Sequence, residues 1–199
     1  MLNLIVWLGI SYLFGSIPFG LILVKFFKGI DLREVGSGNI GTTNVIRAAG
    51  KKFGALTFVL DLSKGLIPVI IAKSISTSNL FVALVGLAAI LGHIYSVFLR
   101  FKGGKGVATT IGVFFAISPT LTIIALVPSL FFMWLSEYVS VGSLMFVTIM
   151  PILFLLSMKF AFFVLSVVVF FLIYWTHREN ITRLAEGTEN TWRSIKAEE

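Results

Sequence analysis

The sequence predicts an all-α integral membrane protein with about seven transmembrane helices. Apolar residues make up 57% of the 199 positions, against roughly 45–50% in ordinary globular proteins. Charged residues make up 13%, against about 25% in globular proteins. The apolar residues lie in long runs, as a hydrocarbon layer about 30 Å thick requires of a helix that crosses it. We expect a single membrane domain over residues 1–199.

Six apolar blocks follow one another along the chain. They cover residues 2–24, 53–72, 80–99, 107–135, 139–158 and 160–175. The fourth block is longer than one span needs and contains Pro119 and Pro128. Because proline removes a backbone donor and ends or kinks a helix, we expect two short spans with a turn near Ser118 and Pro119. This division predicts seven spans, with five or six as alternatives.

Basic residues are divided unequally between the two sides of the predicted membrane. One side receives Lys25, Lys28, Arg33, Arg47, Lys51, Lys52, Arg100, Lys102, Lys105, Arg178, Arg183, Arg193 and Lys196. The turns on the other side offer Lys73 and Lys159. Since cytoplasmic loops carry the excess of Lys and Arg, the basic side is predicted to be cytoplasmic and the N-terminus to lie outside. An odd number of spans returns the C-terminus to the cytoplasm, which favours seven or five over six.

Charge and composition argue against several classes of protein. The formal net charge is +7, but the basic residues lie between and beyond the apolar runs, so anionic headgroups or substrates are expected partners rather than nucleic acid. The chain has no cysteine, which excludes disulfides, thiolate nucleophiles and cysteine-based metal sites. The first apolar block lacks a preceding basic region and a following cleavage site, so we interpret it as a retained span rather than a signal peptide.

The first of three unusual polar segments covers residues 36–50. It combines several glycines with Ser37, Asn39, Thr43, Asn44 and Arg47. Glycine lets the backbone approach an anion, and a guanidinium can bind phosphate through two parallel hydrogen bonds. The segment is therefore predicted to bind an oxyanion, with a turn and a helix cap as the alternative. Its GxGxxG spacing does not indicate a dinucleotide site, because no strand precedes it.

The second polar segment covers residues 92–109 and leads directly into an apolar helix. Its centre consists of Lys102, Gly103, Gly104, Lys105 and Gly106. Successive glycine amides can form a concave anion nest, and the N-terminus of the following helix adds a partial positive charge. The alternative is a flexible basic loop that faces anionic lipid. His93, near the start of the segment, is either a base or a structural histidine.

The third polar segment covers residues 177–189. His177 and Asn180 are three residues apart, so on a helix they would share one face, just beyond the last span. Snorkelling side chains would account for Arg178 and Arg183, but not for His177, Asn180 and Glu189. All three segments fall on the predicted cytoplasmic side, and we expect them to form one interfacial site.

Asp61 and Lys64 lie three residues apart inside the second predicted span. Ionisable residues are costly within a membrane and rarely face lipid. We interpret them as a buried pair that fixes helix packing, with a direct contribution to the polar site as the alternative.

Together, the three polar segments resemble the acyl-phosphate:glycerol-3-phosphate acyltransferases of the bacterial PlsY family. The resemblance rests on Ser-Gly-Asn-Ile-Gly-Thr-Thr-Asn-x-x-Arg, on Gly-His-x-x-x-x-Phe-x-x-Phe-Lys-Gly-Gly-Lys-Gly-Val-Ala-Thr, and on His-Arg-Glu-Asn-Ile-x-Arg-Leu-x-x-Gly-Thr-Glu. Thr42 stands where the family commonly has alanine. The motifs cover about a fifth of the chain, and length, hydropathy and motif order agree along the rest.

The resemblance implies a reaction and its setting. A fatty acyl group would pass from acyl phosphate to the 1-hydroxyl of sn-glycerol 3-phosphate, giving lysophosphatidic acid and inorganic phosphate, in the first acylation of bacterial phospholipid synthesis. The protein is expected in the bacterial inner membrane, as a monomer or weak oligomer, with its motifs and C-terminus cytoplasmic. No cofactor is implied, and no metal is expected because the motifs contain few carboxylates.

The resemblance also implies roles for particular residues. Catalytic roles are predicted for Ser37, Arg47, His177 and Asn180. Substrate binding is predicted for Asn39, Thr43, Asn44, Lys102, Gly103, Gly104, Lys105 and Gly106. Residues 102–106 would hold the phosphate of glycerol 3-phosphate, the first segment would orient the acyl phosphate, and the third would position the attacking hydroxyl. Either His177 or a substrate phosphate oxygen would accept the proton, and Glu189 would brace the basic cluster.

Two other classes of function remain as alternatives. A transporter for phosphorylated metabolites should place its polar groups near the bilayer midplane, in interrupted helices, whereas these groups cluster at one face. A scaffold for anionic lipid would need Lys and Arg, but not the Asn, His and Ser side chains at fixed positions.

Overall fold

The computed structural model describes residues 2–193, and every regular element in that range is helical. The chain divides into two compact units, Met1–Ile117 and Ser118–Glu199. The helices of the first unit are α1 (Leu2–Ser16), α2 (Phe19–Lys28), α3 (Thr42–Ala49), α4 (Lys51–Ile75), α5 (Asn79–Ile94) and α6 (Val107–Ile117). Those of the second are α7 (Pro119–Ser136), α8 (Val139–Leu156), α9 (Phe160–Thr176) and α10 (Arg178–Ala185). Lys196, counted above with the basic tail, lies outside the described residues.

Within residues 2–193, five helical segments are long and apolar enough to cross a membrane, the first of them made of α1 and α2, and there are six if the bent pair α9 and α10 counts as one span. The predicted turn near Ser118 and Pro119 is confirmed, because α6 ends at Ile117 and α7 begins at Pro119. With 11 residues, α6 is too short to span by itself. The count of seven therefore stays a prediction.

The surface of the helices is apolar, as a bilayer requires. Ile70, Val127 and Phe171 are 51%, 64% and 65% exposed. Polar side chains such as Ser11 and Thr57 are buried instead. This is the reverse of the pattern in a water-soluble protein, where polar groups remain in contact with solvent.

The first span consists of two helices separated by a break at Ile17 and Pro18. Proline lacks a backbone donor, so the hydrogen-bond ladder stops there. The Lys64 ammonium of α4 donates to the carbonyl oxygen of Ile17 at 2.9 Å. The break leaves this carbonyl without an intrahelical partner, and the Lys64 side chain and the Phe19 amide, at 3.1 Å, satisfy it together.

Helices α4 and α6 run side by side in the same direction. Thr109 bonds to the backbone of Asp61, while Lys73 bonds to the backbone of Ala116. A Cβ atom on either Gly65 or Gly112 would overlap a carbonyl oxygen of the opposite helix. Small residues allow this close approach, as is common between helices in membranes.

The parallel packing explains why α6 is short. Thr109 lies near its start and is level with Asp61, which is ten residues beyond the start of α4. At 1.5 Å per residue, that point is about 15 Å along α4. Helix α6 therefore begins at a recessed level relative to the start of α4, and residues 103–106, directly before it, are buried or partly buried.

Candidate active site

A small hydrophobic core holds the first polar segment against the helices of the first unit. Its buried members are Leu21, Val24, Leu32, Ile40 and Val45. They come from α2, from the loop before α3 and from α3 itself. The loop is thereby attached on both sides of residues 36–39, and α3 packs on α4, where a Cβ atom on Gly54 would overlap the side chain of Ile46.

Asn44 organises this loop from within. It is only 2% exposed, and its Oδ1 accepts from the backbone amide of Ser37 at 3.0 Å. Its Nδ2 donates to the carbonyl oxygens of Leu32, Val35 and Asn39 at 2.8–3.1 Å. The sequence predicts Asn44 as a substrate-binding residue, but these bonds already use both its donor and its acceptor groups. These bonds hold the loop in shape, and a role for Asn44 in substrate binding stays a prediction.

The other predicted residues of the first segment lie around this centre. The Ser37 side chain is exposed, and Asn39 Oδ1 accepts from the Gly41 amide at 2.9 Å. Thr43 and Arg47 lie four residues apart on α3 and so share one of its faces. Both are partly buried. The structure thus places two hydroxyls, one amide and one guanidinium within a single loop and helix.

The basic loop (residues 102–106) folds back onto the end of α5. The amides of Gly103 and Gly104 donate to the carbonyl oxygens of Ile94 and His93, at 2.9 and 3.0 Å. The last carbonyls of a helix lack intrahelical partners, so they attract these amides. The Gly103 and Gly104 amides are therefore already engaged within the chain, and the predicted anion nest stays a prediction. Lys102, which is exposed, and Lys105, which is partly buried, flank them directly before α6.

Below the basic loop lies a buried polar cluster. The Lys64 ammonium lies 2.8 Å from Asp61 Oδ1, and the two side chains are 1% and 4% exposed. The predicted buried pair is therefore confirmed. Thr109 Oγ1 donates to the Asp61 carbonyl at 3.0 Å and lies 3.2 Å from His93 Nδ1. These contacts join α4, α5 and α6 at one level.

His177 occupies the junction between α9 and α10, where the chain bends by 59°. It is 3% exposed, and its Nδ1 lies 2.9 Å from the Ile173 carbonyl oxygen. Because a carbonyl can only accept, Nδ1 carries the proton, and in the neutral ring Nε2 is then the basic nitrogen. This is the tautomer that a base acting through Nε2 requires.

Glu189 gathers several groups of the second unit around its carboxylate. It accepts from Asn180 at 2.6 Å, from Arg183 at 2.8 Å and from Ser140 at 3.0 Å. Burial alone would raise the pKa of Glu189, but these hydrogen bonds outweigh it and hold the pKa below its usual value. Arg183 is therefore an ion-pair partner of Glu189 rather than a freely snorkelling side chain.

Replacing Glu189 by glutamine is expected to lower the stability of the protein by about 1–2 kcal/mol, because charged hydrogen bonds are lost at a partly screened position. The folded protein lowers this pKa, so the stabilisation is present above the usual value of 4.5 and lost as pH falls through the lowered pKa. Thermal unfolding in detergent, from neutral pH to below that value, should show less acid sensitivity in Glu189→Gln. Glu186→Gln, at an exposed position, is the control, and equal pH profiles for both variants would contradict the assignment.

The predicted site residues are distributed over both units. The residues of the first two segments, including Ser37, Arg47 and the basic loop, belong to the first unit, whereas His177 and Asn180 belong to the second. A single site formed by all three segments stays a prediction. The sequence carried no signal for Ser140, an ordinary serine in the first turn of an apolar helix, although it bonds to Glu189.

Comparison with known proteins places the chain in a family. Residues 5–187 match the model of a family described as glycerol-3-phosphate acyltransferase. The chain belongs to this family. A glycerol-3-phosphate acyltransferase from Lawsonia intracellularis is 47% identical over 95% of this chain and 96% of its own length. Family members from Aquifex aeolicus and Geobacter sulfurreducens are 49% and 43% identical, over 90% and 98% of this chain and 94% and 100% of their own.

The family's fold is also that of a solved structure. The crystal structure of PlsY, an integral membrane glycerol 3-phosphate acyltransferase, in its glycerol 3-phosphate form has a TM-score of 0.91 with this chain, at 42% identity and covering 95% of each. The lysophosphatidic acid form of the same enzyme has a TM-score of 0.88. The chain is thus an integral membrane protein with the PlsY fold.

Proposed function

We propose that this glycerol-3-phosphate acyltransferase transfers a fatty acyl group from acyl phosphate to the 1-hydroxyl of sn-glycerol 3-phosphate. The products are lysophosphatidic acid and inorganic phosphate. The observation that carries the proposal is the recessed basic loop, which places two lysines directly before α6. The crystallised relative with the same fold was obtained in glycerol 3-phosphate and lysophosphatidic acid forms.

The main requirement of this reaction is that the enzyme position the hydroxyl of one substrate next to the acyl carbonyl of the other. An acyl phosphate is an activated mixed anhydride with phosphate as its leaving group. The hydroxyl oxygen forms a new bond to the carbonyl carbon, and the bond from that carbon to the phosphate oxygen breaks. Holding the two reactants in this geometry removes much of the entropic barrier. Cations and hydrogen-bond donors stabilise the charge that develops on the carbonyl and phosphate oxygens.

The residues divide between the two phosphates. Lys102 and Lys105 neutralise the phosphate of glycerol 3-phosphate, and the amides at the start of α6 bind it in place of the Gly103 and Gly104 amides, which are engaged. Ser37, Asn39, Thr43 and Arg47 bind the acyl-phosphate end. Asn44 contributes by holding their loop in shape.

The attacking hydroxyl is assigned to the third segment. His177 and Asn180 position it, and the proton passes either to His177 Nε2 or to a phosphate oxygen of a substrate. The His177 tautomer described above supports the first of these without excluding the second. Because the acyl chain is apolar, it stays in the hydrocarbon layer while the headgroup chemistry proceeds at the cytoplasmic face of the bacterial inner membrane.

The identity of the acyl donor is testable with the purified protein in detergent. Palmitoyl phosphate and glycerol 3-phosphate together should yield inorganic phosphate and lysophosphatidic acid in equal amounts, and neither substrate alone should yield lysophosphatidic acid. Palmitoyl-CoA and palmitoyl-acyl carrier protein are the parallel donors. Lysophosphatidic acid formed from a thioester without phosphate release would overturn the donor assignment. No product from any donor, in a folded sample, would favour transport, to be examined by uptake of glycerol 3-phosphate into liposomes.

A further inference from the structure

His93 is a buried histidine to which the reaction proposed above gives no role. It lies at the end of α5, is 4% exposed, and sits between the Asp61–Lys64 pair and the basic loop. A buried imidazole is costly unless its nitrogens are accounted for. The hydrogen bonds around it determine what each nitrogen does.

The protonation of the ring follows from Thr109. The Thr109 hydroxyl has one hydrogen, which it donates to the Asp61 carbonyl at 3.0 Å. Its oxygen can therefore only accept from His93 Nδ1, which lies 3.2 Å away. Nδ1 carries the proton, and Nε2 of the neutral ring is directed to the other side.

That other side is the basic loop. A Cβ atom on Gly104 would overlap His93 Nε2, so the loop lies in direct contact with the ring. The backbone of α5 holds the same loop, because the amides of Gly103 and Gly104 donate to the carbonyls of Ile94 and His93. His93 thus contacts the loop through both its side chain and its main chain.

The ring itself cannot move aside easily. Its Nδ1 is bonded to Thr109, which is fully buried, and Thr109 is held by the backbone of Asp61. Asp61 is in turn paired with Lys64, whose ammonium also bonds to the Ile17 carbonyl at the break in the first span. A chain of polar contacts therefore runs from the first span to Gly104.

We infer that His93 is a positioning residue that sets the height and orientation of the basic loop for binding the phosphate of glycerol 3-phosphate. This inference rests on the proposed function for the loop's role in binding. The loop would contact that phosphate equally in the ground state and the transition state, so its displacement should raise KM for glycerol 3-phosphate and leave kcat nearly unchanged. The acyl donor, bound elsewhere, should keep its KM.

The test is a double-mutant cycle that combines His93→Ala with Gly104→Ala, and in parallel with Gly103→Ala as the control. Neither Gly103 nor Gly104 has a positive φ, so alanine is compatible with the backbone at both positions. A Cβ atom at 104 would overlap the His93 ring, whereas one at 103 would overlap the His93 carbonyl oxygen, which every residue at 93 retains. Removing the ring should therefore relieve Gly104→Ala but not Gly103→Ala.

The expected results are specific to this arrangement. Gly104→Ala and Gly103→Ala should each raise KM for glycerol 3-phosphate by at least about tenfold, because overpacking displaces the loop. His93→Ala should raise it about three- to tenfold, through loss of the bond to Thr109. In His93→Ala/Gly104→Ala the effect of the alanine at 104 should largely disappear, whereas His93→Ala/Gly103→Ala should show no relief. His93→Asn, which restores a donor near the Nδ1 position, should recover most of the wild-type KM.

Thermal unfolding of the same variants gives a readout that is independent of the acyl donor. His93→Ala should relieve the loss of Tm caused by Gly104→Ala but not the loss caused by Gly103→Ala, as it should for KM. Additive effects at 93 and 104, or an unchanged KM in His93→Ala, would overturn the inference. Failure of the proposed donor would be seen separately, as a wild-type protein that releases no phosphate from palmitoyl phosphate while the unfolding cycle still reports on His93 and the loop.

Discussion

Replacing Arg47 by alanine is expected to lower turnover by a factor on the order of 10²–10³ while the protein remains folded. A guanidinium on α3 can neutralise phosphate charge through two parallel hydrogen bonds, and losing a group that stabilises developing charge commonly costs this much. Arg47→Lys should recover only part of the rate, because an ammonium cannot form the same paired bonds. The measurement is phosphate release with palmitoyl phosphate and glycerol 3-phosphate, alongside thermal unfolding.

A nearby arginine provides the matched control for Arg47. Arg33 precedes the same loop, but it is exposed and bound to Asp31 at 2.6 Å, which holds the pKa of that carboxyl well below its usual value. Arg33→Ala removes an equal charge from the same region and should leave turnover within about twofold, as for a surface ion pair. Near-wild-type turnover in Arg47→Ala would refute the proposed role, and equal losses in both variants would show that only net charge matters.

The second large effect is expected on stability, at the buried ion pair. Asp61→Leu leaves the Lys64 ammonium buried without its carboxylate, and breaking a buried pair in this way typically costs about 3–5 kcal/mol. For a protein of this size that corresponds to a fall in Tm of roughly 10 °C. Thermal unfolding in a mild detergent would measure it.

A double variant at positions 61 and 64 distinguishes the cost of an unpaired buried charge from the contribution of the ion pair itself. Asp61→Leu/Lys64→Met removes both charges and should recover most of the lost stability, since an apolar pair of similar volume is often neutral or stabilising. Recovery should be incomplete, because Lys64 also satisfies the Ile17 carbonyl. Ser63→Ala is the control, because this serine is on the same turn of α4 and, among the described residues, its hydroxyl bonds to its own helix at Val59. A single variant as stable as the wild type would show that the pair contributes nothing.

The sequence alone predicted those features that depend on local chemistry. Apolar runs and the prolines at 119 and 128 predicted the helices and the break before α7, because helix length and proline geometry are properties of short segments. The sequence also identified the hydroxyl, amide, imidazole and cationic groups of the three polar segments, because these belong to single residues. The positions of Asp61 and Lys64 within a span also predicted a buried pair, since unpaired charges are too costly there.

The tertiary structure decided which of those polar groups remain available for a substrate. The side-chain amide of Asn44 could bind a substrate, but it is hydrogen-bonded to the backbone of the loop at Leu32, Val35, Ser37 and Asn39. Likewise, the Gly103 and Gly104 amides are hydrogen-bonded to the end of α5. The tautomer of His93 depends on Thr109, sixteen residues away. The pKa of Glu189 depends on its burial and on hydrogen bonds from Asn180, Arg183 and, in α8, Ser140. A sequence lists donors and acceptors, but their partners are chosen by contacts between distant segments. The hydrogen-bond partners of each buried group can therefore be assigned only from the packed tertiary structure.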